Sequence, residues 1–336
     1  MRNTDHAPSP LEIVPLPDHI RSIQPGGGVC YYLELCWGRL RRWYLRTFRK
    51  TYLAKMKSLR HGSAEGAPHA ILDPRDLKYC RNQCSCAWNL ADDPFAWRDK
   101  IPLARWGLAE SLILGGIFAA MAAAPLLINL IMWPLSIPPL LCFIWIISFF
   151  RDPERKIPTD PGLLVAPADG KVVEIAYLDE EPYLGGPAIR IGIFLSIFNV
   201  HINRSPCEGQ VVELRYAPGL FLDARNPQSA LKNESMWIGI QATRAPYRRY
   251  SVRQIAGLFA RRIVCDLRPG ETVQRGTPFG MIKLGSRTEI VIPHERDLEL
   301  QVQVGQKVKA GTTTIACYTD TRLDGSSPPT SSLTPN

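Results

Sequence analysis

The 336-residue sequence has no glycine-rich phosphate loop of the nucleotide-binding type, which removes the nucleotide-dependent classes that rely on one. It has no disulfide framework either. Its nine cysteines, an odd number, are scattered at Cys30, Cys36, Cys80, Cys84, Cys86, Cys142, Cys207, Cys265 and Cys317 and read as reduced thiols on the cytoplasmic side. Cys80, Cys84 and Cys86 with His69 lack zinc-site spacing and no second pair answers them, so no metal is expected. The opening Met1-Arg2-Asn3-Thr4-Asp5-His6 lacks the basic-then-apolar pattern of a cleaved signal peptide, so export by that route is not expected. The longest absence is of charge: between Gly107 and Phe150 only Glu110 is formally charged.

What is present points to lipid. Lys and Arg number 40 against 31 Asp and Glu, a net charge of +9 that suits a phospholipid surface or a nucleic acid. The apolar segment favours the membrane, and no nucleic-acid partner is expected. A spanning helix needs about 20 apolar residues, so the segment holds one span or two. Pro134 and the Pro138-Pro139 pair interrupt it, and a bend at Trp133-Pro134 would make a helical hairpin. Arg98, Lys100 and Arg105 precede the segment while Arg151, Arg155 and Lys156 follow it, which puts both flanks in the cytoplasm. The expectation is therefore a cell-membrane protein with its main domain on the cytoplasmic face; a buried core hairpin is the alternative. Upstream, Arg39 to Arg60 alternates basic and apolar residues at helical spacing. It reads as a basic amphipathic helix on an anionic membrane, with a solvated helix packed on its own domain as the alternative.

After Pro158 the pattern changes to short β-branched runs divided by Gly, Pro and Asp. Strands are expected at Val172–Ile175, Ala188–Phe194, Val211–Leu214, Trp237–Ile240, Ile263–Cys265, Glu289–Ile292 and Leu298–Val302. A helix is expected over Val252–Arg262, where Ile255, Leu258 and Phe259 repeat at helical spacing. Gly270-Glu271-Thr272-Val273-Gln274-Arg275-Gly276 and Gly305-Gln306-Lys307-Val308-Lys309-Ala310-Gly311 share Gly-x-x-Val-x-x-Gly, implying two related β-hairpins. The fold class expected is a mainly β, barrel-sandwich-like catalytic domain related to biotinyl and lipoyl hairpins, with an N-terminal membrane-embedded helical segment. Its divisions fall at 1–106 for the basic extension, 107–150 for the membrane segment, 151–323 for the β-rich domain and 324–336 for a disordered tail.

Gly285-Ser286 stands between two strand-like runs. Glycine leaves its carbonyl open to attack by the next hydroxyl, and a strand-to-strand turn can hold a strained peptide. Alone, that serine would be an inert turn residue, His201 a buried histidine, and Asp169-Gly170 an ordinary turn. Taken in order, Phe149-Phe150-Arg151-Asp152-Pro153-Glu154-Arg155, Ala166-Pro167-Ala168-Asp169-Gly170, Phe198-Asn199-Val200-His201-Ile202-Asn203-Arg204, Tyr216-Ala217-Pro218-Gly219, Asn233-Glu234, Val252-Arg253-Gln254-Ile255-Ala256-Gly257 and Leu284-Gly285-Ser286 resemble the phosphatidylserine decarboxylase family, in its short bacterial form. The likeness runs from the apolar segment to about Thr319 and leaves residues 1–95 without an assigned activity.

The resemblance implies a proenzyme that cuts itself between Gly285 and Ser286 into a large subunit 1–285 and a small subunit 286–336. Ser286 would become a pyruvoyl group, a built-in cofactor that forms a Schiff base with phosphatidylserine and accepts the electrons left when carbon dioxide departs, giving phosphatidylethanolamine. By the same likeness Asp169 supports self-cleavage and His201 passes the proton that replaces carbon dioxide. Arg204, Asn233 and Glu234 are carried over as substrate-binding candidates. Arg204 stands where longer members of the family have a second histidine, so either His201 serves twice, with Asp169, or strain and water replace the base. Arg204 itself would face the lipid phosphate or carboxylate, or else form a structural ion pair. His294, in a polar turn, reads as a surface residue. Two other functions compete: a biotinyl- or lipoyl-like carrier modified at Lys283 on a membrane anchor, and a membrane scaffold without activity. A homo-oligomer is left open.

Overall fold

The computed structural model describes residues 12–226, 228–258, 262–283 and 285–319; the tail expected to be disordered lies outside them. Two helices open the described chain, α1 (Val29–Phe48) and α2 (Lys50–Ser58), with Arg49 out of helical geometry between them. The basic amphipathic stretch therefore belongs to two helices rather than one. α1 buries only Leu45 and leaves Trp37, Trp43 and Phe48 exposed among its arginines. Short 3-10 turns follow, and there Cys80, Cys84 and Cys86 pack with Ile71 in a small apolar cluster. Burial pushes the Cys80 thiol up to about 12. Among the described residues no group of three or more His, Cys, Asp or Glu is arranged to hold a metal.

The apolar segment forms α3 (Leu108–Ile128), a 3-10 stretch over Leu130–Ser136, and α4 (Ile137–Phe149). Asn129 ends α3 and its Oδ1 accepts the Ile131 N–H at 3.0 Å, so the break has its own cap. The two arms meet at Gly115, where a Cβ would lie 3.6 Å from the Phe143 ring. Arg105–Ile128 and Leu130–Phe149 are each long and apolar enough to cross a membrane, by length and composition. Only 11% of either apolar stretch is covered by the rest of the chain, which a buried core hairpin would not leave open.

The remainder is β structure: β1 (Leu163–Val165), β2 (Gly170–Glu181), β3 (Gly186–Leu195), β4 (Ile202–Arg204), β5 (Gly209–Ala217), a one-turn α5 (Ser229–Lys232), β6 (Ser235–Gln241), β7 (Arg249–Ala256), β8 (Arg262–Cys265), β9 (Thr272–Val273), β10 (Pro278–Lys283), β11 (Ser286–Pro293), β12 (Leu298–Leu300), β13 (Lys307–Val308) and β14 (Thr314–Tyr318). An antiparallel eight-stranded sheet runs β13-β2-β3-β11-β7-β6-β5-β9, and two three-stranded sheets run β1-β14-β12 and β4-β10-β8. One apolar core joins them. Ile191 and Ile193 of β3, Ile290 of β11, Val252 of β7, Ile282 of β10 and Ile315 of β14 all lie in it with no exposed surface.

Of the helix expected over Val252–Arg262, Val252–Ala256 are instead part of the strand β7 and Arg262 opens β8, while 259–261 lie outside the described residues. Val252, Gln254 and Ala256 face inward at a two-residue period, and full burial hides the alternation that marks a strand open on one side. The two Gly-x-x-Val-x-x-Gly segments are also not separate hairpins. Each supplies a two-residue edge strand, β9 against β5 and β13 against β2, at opposite ends of the large sheet.

That placement is one sign of an internal duplication. Exchanging β13-β2-β3-β11 with β9-β5-β6-β7, and β1-β14-β12 with β4-β10-β8, maps the topology onto itself. Val165-Ala166-Pro167-Ala168-Asp169-Gly170-Lys171-Val172-Val173-Glu174 lies at the place matched by Arg204-Ser205-Pro206-Cys207-Glu208-Gly209-Gln210-Val211-Val212-Glu213. Gly170 and Gly209 are glycines for one reason: a side chain on either would run into backbone of the neighbouring strand, at Phe194 and Gln241.

The N-terminal extension is woven into this domain. Val14 donates its N–H to Val212, and Ile23 accepts from Cys265 at 2.8 Å while donating to Tyr79 at 2.9 Å.

Candidate active site

Ser286 opens β11 with both neighbours in place, Leu195 of β3 on one side and Ala256 of β7 on the other. The preceding Gly285 has φ 53°, in the left-handed region that glycine enters at no steric cost. Strand alternation turns Ser286, Thr288 and Ile290 inward together, and Ser286 has no exposed surface. Its Oγ has no hydrogen-bond partner among the described residues. The Gly285 carbonyl oxygen lies directly over the Gly257 Cα, where any side chain would collide with it.

Asn233 and Glu234 help set that contact. The Asn233 Nδ2 donates to the carbonyls of Leu222 at 2.8 Å and Ala256 at 2.7 Å, and its Oδ1 accepts from the Leu222 N–H at 2.9 Å. The Glu234 carbonyl accepts from the Ala256 N–H at 2.9 Å. Both residues thus hold the end of β7 against Gly285-Ser286. The Glu234 carboxyl is buried beneath Gly26, and that burial raises it above the usual carboxylate range against the opposing pull of Arg262. Neither side chain is aimed at open space where a lipid head would lie.

His201 immediately precedes β4 and has no exposed surface. Its carbonyl accepts from Ile282 at the loop end of β10, and Asn203 two residues on donates to Thr288 Oγ1 at 3.0 Å. His201 and Ser286 therefore sit at the same end of the two facing sheets. The His201 Nδ1 lies 2.9 Å from the Asn199 carbonyl, which can only accept, so Nδ1 carries the proton and Nε2 presents its lone pair. Nε2 has no partner among the described residues. Burial lowers the imidazole to about 4, against the weaker opposing effect of the Asn199 hydrogen bond, so it is neutral at ordinary pH. The ring packs on Phe149, the last residue of α4, with centroids 4.4 Å apart. The apolar hairpin thus forms one wall of the site.

Asp169 ends at the same edge, since Lys171 pairs Phe194 and the next row holds Leu195 and Ser286. Its carboxylate is held by Arg155 Nη2 at 2.9 Å to each oxygen and by the Ala310 N–H at 2.8 Å. No hydrogen bond joins Asp169 to His201 among the described residues. Arg204 donates to Asp152 at 2.7 Å and to the Gly276 carbonyl at 3.0 Å, the structural ion pair rather than an open phosphate fork. The role of Phe149-Phe150-Arg151-Asp152-Pro153-Glu154-Arg155 follows. It leaves the end of α4 and spends Arg151 on the Phe198 carbonyl, Asp152 on Arg204 and Arg155 on Asp169, tying the hairpin to the site.

Lys283, two residues before Gly285, is buried in an ion pair with Glu110 of α3 and lies 3.5 Å from Gln24 Oε1. A carrier lysine must swing free at a hairpin tip, and this one does not. Sequence reasoning passed over Glu110 as the exception in an apolar run; an ionisable residue there is expensive unless paired, which was the available signal. His294 is exposed and rests against Tyr177.

A buried serine hydroxyl without a partner among the described residues, on a glycine-led strand at the same end of the sheets as a neutral histidine and a wall of apolar helix, defines a β-sandwich enzyme mounted on a helical hairpin. The family model described as phosphatidylserine decarboxylase matches residues 142–316. A phosphatidylserine decarboxylase proenzyme of Rhodopirellula baltica is 48% identical over 242 residues, covering 72% of this chain and 99% of that protein. Proteins of the same name from Carboxydothermus hydrogenoformans and Solidesulfovibrio magneticus are 47% identical over 175 residues (52% of this chain, 80% of theirs) and 42% identical over 216 residues (64% and 97%). The chain belongs to the phosphatidylserine decarboxylase family and is a carboxy-lyase.

Proposed function

We propose that this chain is a proenzyme that cuts itself between Gly285 and Ser286 and then decarboxylates phosphatidylserine to phosphatidylethanolamine at the membrane surface. The observation that carries the reading is the Ser286 hydroxyl, buried and without a partner among the described residues, directly after a left-handed glycine. Such a group is otherwise a net cost of about 1–3 kcal/mol, and a reaction that consumes it accounts for its retention.

In the cut, Ser286 Oγ attacks the Gly285 carbonyl carbon and the peptide nitrogen leaves, so an ester replaces the amide. Removal of the Ser286 α-proton expels the Gly285 carboxylate and leaves dehydroalanine; tautomerisation and addition of water release ammonia and leave a ketone. The residues fit this product. β3 and β7 flank the new terminus, Gly257 leaves room for the departing carbonyl, and the neutral His201 Nε2 is a base available at the same end. The pyruvoyl ketone, once formed, supplies the electron sink that loss of carbon dioxide requires. His201 Nε2 then takes up the proton that the substrate ammonium gives up on condensing and returns it to the carbon that carbon dioxide leaves, and Phe149 keeps water from that carbon. Asp169 acts through Arg155 and Ala310 by fixing the β1–β2 turn. The cell membrane, with the β domain on its cytoplasmic face, is the location the flanking Arg98, Lys100, Arg105, Arg151 and Arg155 support. Subunits 1–285 and 286–336 stay together because β11 is central to the large sheet.

The test is Ser286→Ala. The variant is expected to stay a single chain on a denaturing gel and to release no carbon dioxide from carboxyl-labelled phosphatidylserine. Two chains, or retained turnover, would overturn the reading.

A further inference from the structure

The N-terminal extension and the base of the hairpin enclose a cavity of about 560 Å³. No residue of the candidate active site lines it. On α3, Leu108, Ser111 and Leu112 share the face toward the cavity, while Glu110 on the opposite face reaches Lys283. Arg41, Arg42, Arg75, Lys78, Arg98 and Arg105 line it against the two carboxylates of Glu34 and Asp76. Most of these cations are spoken for: Arg41, Arg42 and Arg75 by Asp73 and Asp76, Lys78 by Glu34, Arg105 by Asp99. Arg98 is not. Half-buried, it stacks on Phe95 and Trp97, and its guanidinium has no hydrogen bond or ion pair among the described residues. Burial lowers its pKa, and the nearby charges of Arg105, Arg75 and Arg41 push the same way. Arg41 Nε is likewise buried without a partner among the described residues.

The opposite wall is apolar. Leu112 on the first turns of α3 and Ile147 on the last turn of α4 line it, where the hairpin leaves the β domain, and Trp37 and Trp97 stand exposed at the rim. Tryptophan at the end of an apolar span marks the headgroup level of a bilayer. An unpaired guanidinium inside a basic cavity whose other wall continues into the membrane matches one ligand chemistry, a phosphate ester carrying acyl chains.

We propose that this cavity is a second, non-catalytic phospholipid site, which takes the phosphate of an anionic lipid on Arg98 and lays its chains along Leu112 and Ile147. The bound lipid fastens the extension to the hairpin and seats the exposed aromatic residues of α1 in an anionic leaflet. The site lies in a part of the chain that the family match, residues 142–316, leaves almost wholly outside, and its occupancy does not depend on the cut at Gly285-Ser286.

The experiment is native mass spectrometry of the full chain in mild detergent, with phosphatidylglycerol, which is not a decarboxylation substrate, against phosphatidylcholine. The wild type is expected to retain phosphatidylglycerol in preference. Arg98→Ala is expected to weaken retention about tenfold, the loss of one charge-assisted contact, and Arg98→Lys to restore part of it. Leu112→Trp, which leaves every arginine in place, is expected to lower retention by filling the chain wall. Equal retention by wild type and both loss variants would overturn the proposal. So would full displacement of the lipid by inorganic phosphate, which would make the cavity a site for a soluble anion.

Discussion

A buried polar atom without a partner costs a protein stability, and among the described residues Ser286 Oγ and His201 Nε2 are both such atoms. Ser286→Ala removes one of them, so the unfolding midpoint of the uncut variant is expected to equal or exceed that of the uncut wild type; a fall would mean the hydroxyl is bonded. His201 gives a pH dependence with a definite sign. Its native value is about 4 against an ordinary 6.5, so between those limits the unfolded chain binds a proton that the folded chain does not. Stability therefore falls as pH drops from about 6.5 to 4, by on the order of 3 kcal/mol in all. Unfolding midpoints measured against pH should show this slope in the wild type and lose it in His201→Gln; an unchanged slope would place the proton elsewhere. Ser286 and His201 were legible because each sits in an ordered string of short motifs. Arg204, Asn233 and Glu234 were legible as members of the same string but not as to role, because a motif does not say whether a polar side chain faces a ligand or a carbonyl of a neighbouring segment.

At the scale of elements, two close contacts bear on the cut. Gly257→Ala would place a methyl group against the Gly285 oxygen, and the expected outcome is accumulation of uncut chain on a denaturing gel with the sandwich still folded. Normal processing of that variant would mean the β7 end moves freely. The Lys283–Glu110 pair joins the end of β10 to α3. Removing one partner of a buried pair leaves an uncompensated charge, worth about 3–5 kcal/mol, whereas replacing both with apolar residues is close to neutral. Glu110→Ala should therefore lower the thermal midpoint in detergent sharply, and Glu110→Leu with Lys283→Met should recover most of it; an equal loss in both would assign the effect to packing. The strands of the β domain and the breaks in the apolar segment could be read from periodicity and proline. The strand β7 could not, because Ser251, Val252, Gln254, Ile255 and Ala256 are all buried, and a strand covered on both faces loses the alternation that would have told it from a helix.

The β domain is a duplicated sandwich in which only one of the two matching ends carries the reactive pair, Ser286 from β11 of one copy and His201 beside β4 of the other. A single sequence showed the duplication faintly, through Gly-x-x-Val-x-x-Gly, since two copies that share a backbone need share only the glycines and apolar positions the backbone demands. The counterpart at the other end is a cavity of about 330 Å³ lined by Glu208, Arg244, Arg248 and Tyr318, with neither serine nor histidine among its lining residues. Asp169→Ala should accordingly slow processing about tenfold or more, while Glu208→Ala at the duplicated position should leave it unchanged. Equal effects would mean both turns act only through stability. The central claim is chemical, and the intact mass of the purified full-length protein addresses it most directly. Two chains are expected, the large one ending at Gly285 and the small one beginning at position 286 and lighter by one ammonia than a serine-started chain. A single species with the mass of the uncut 336-residue chain would contradict the account.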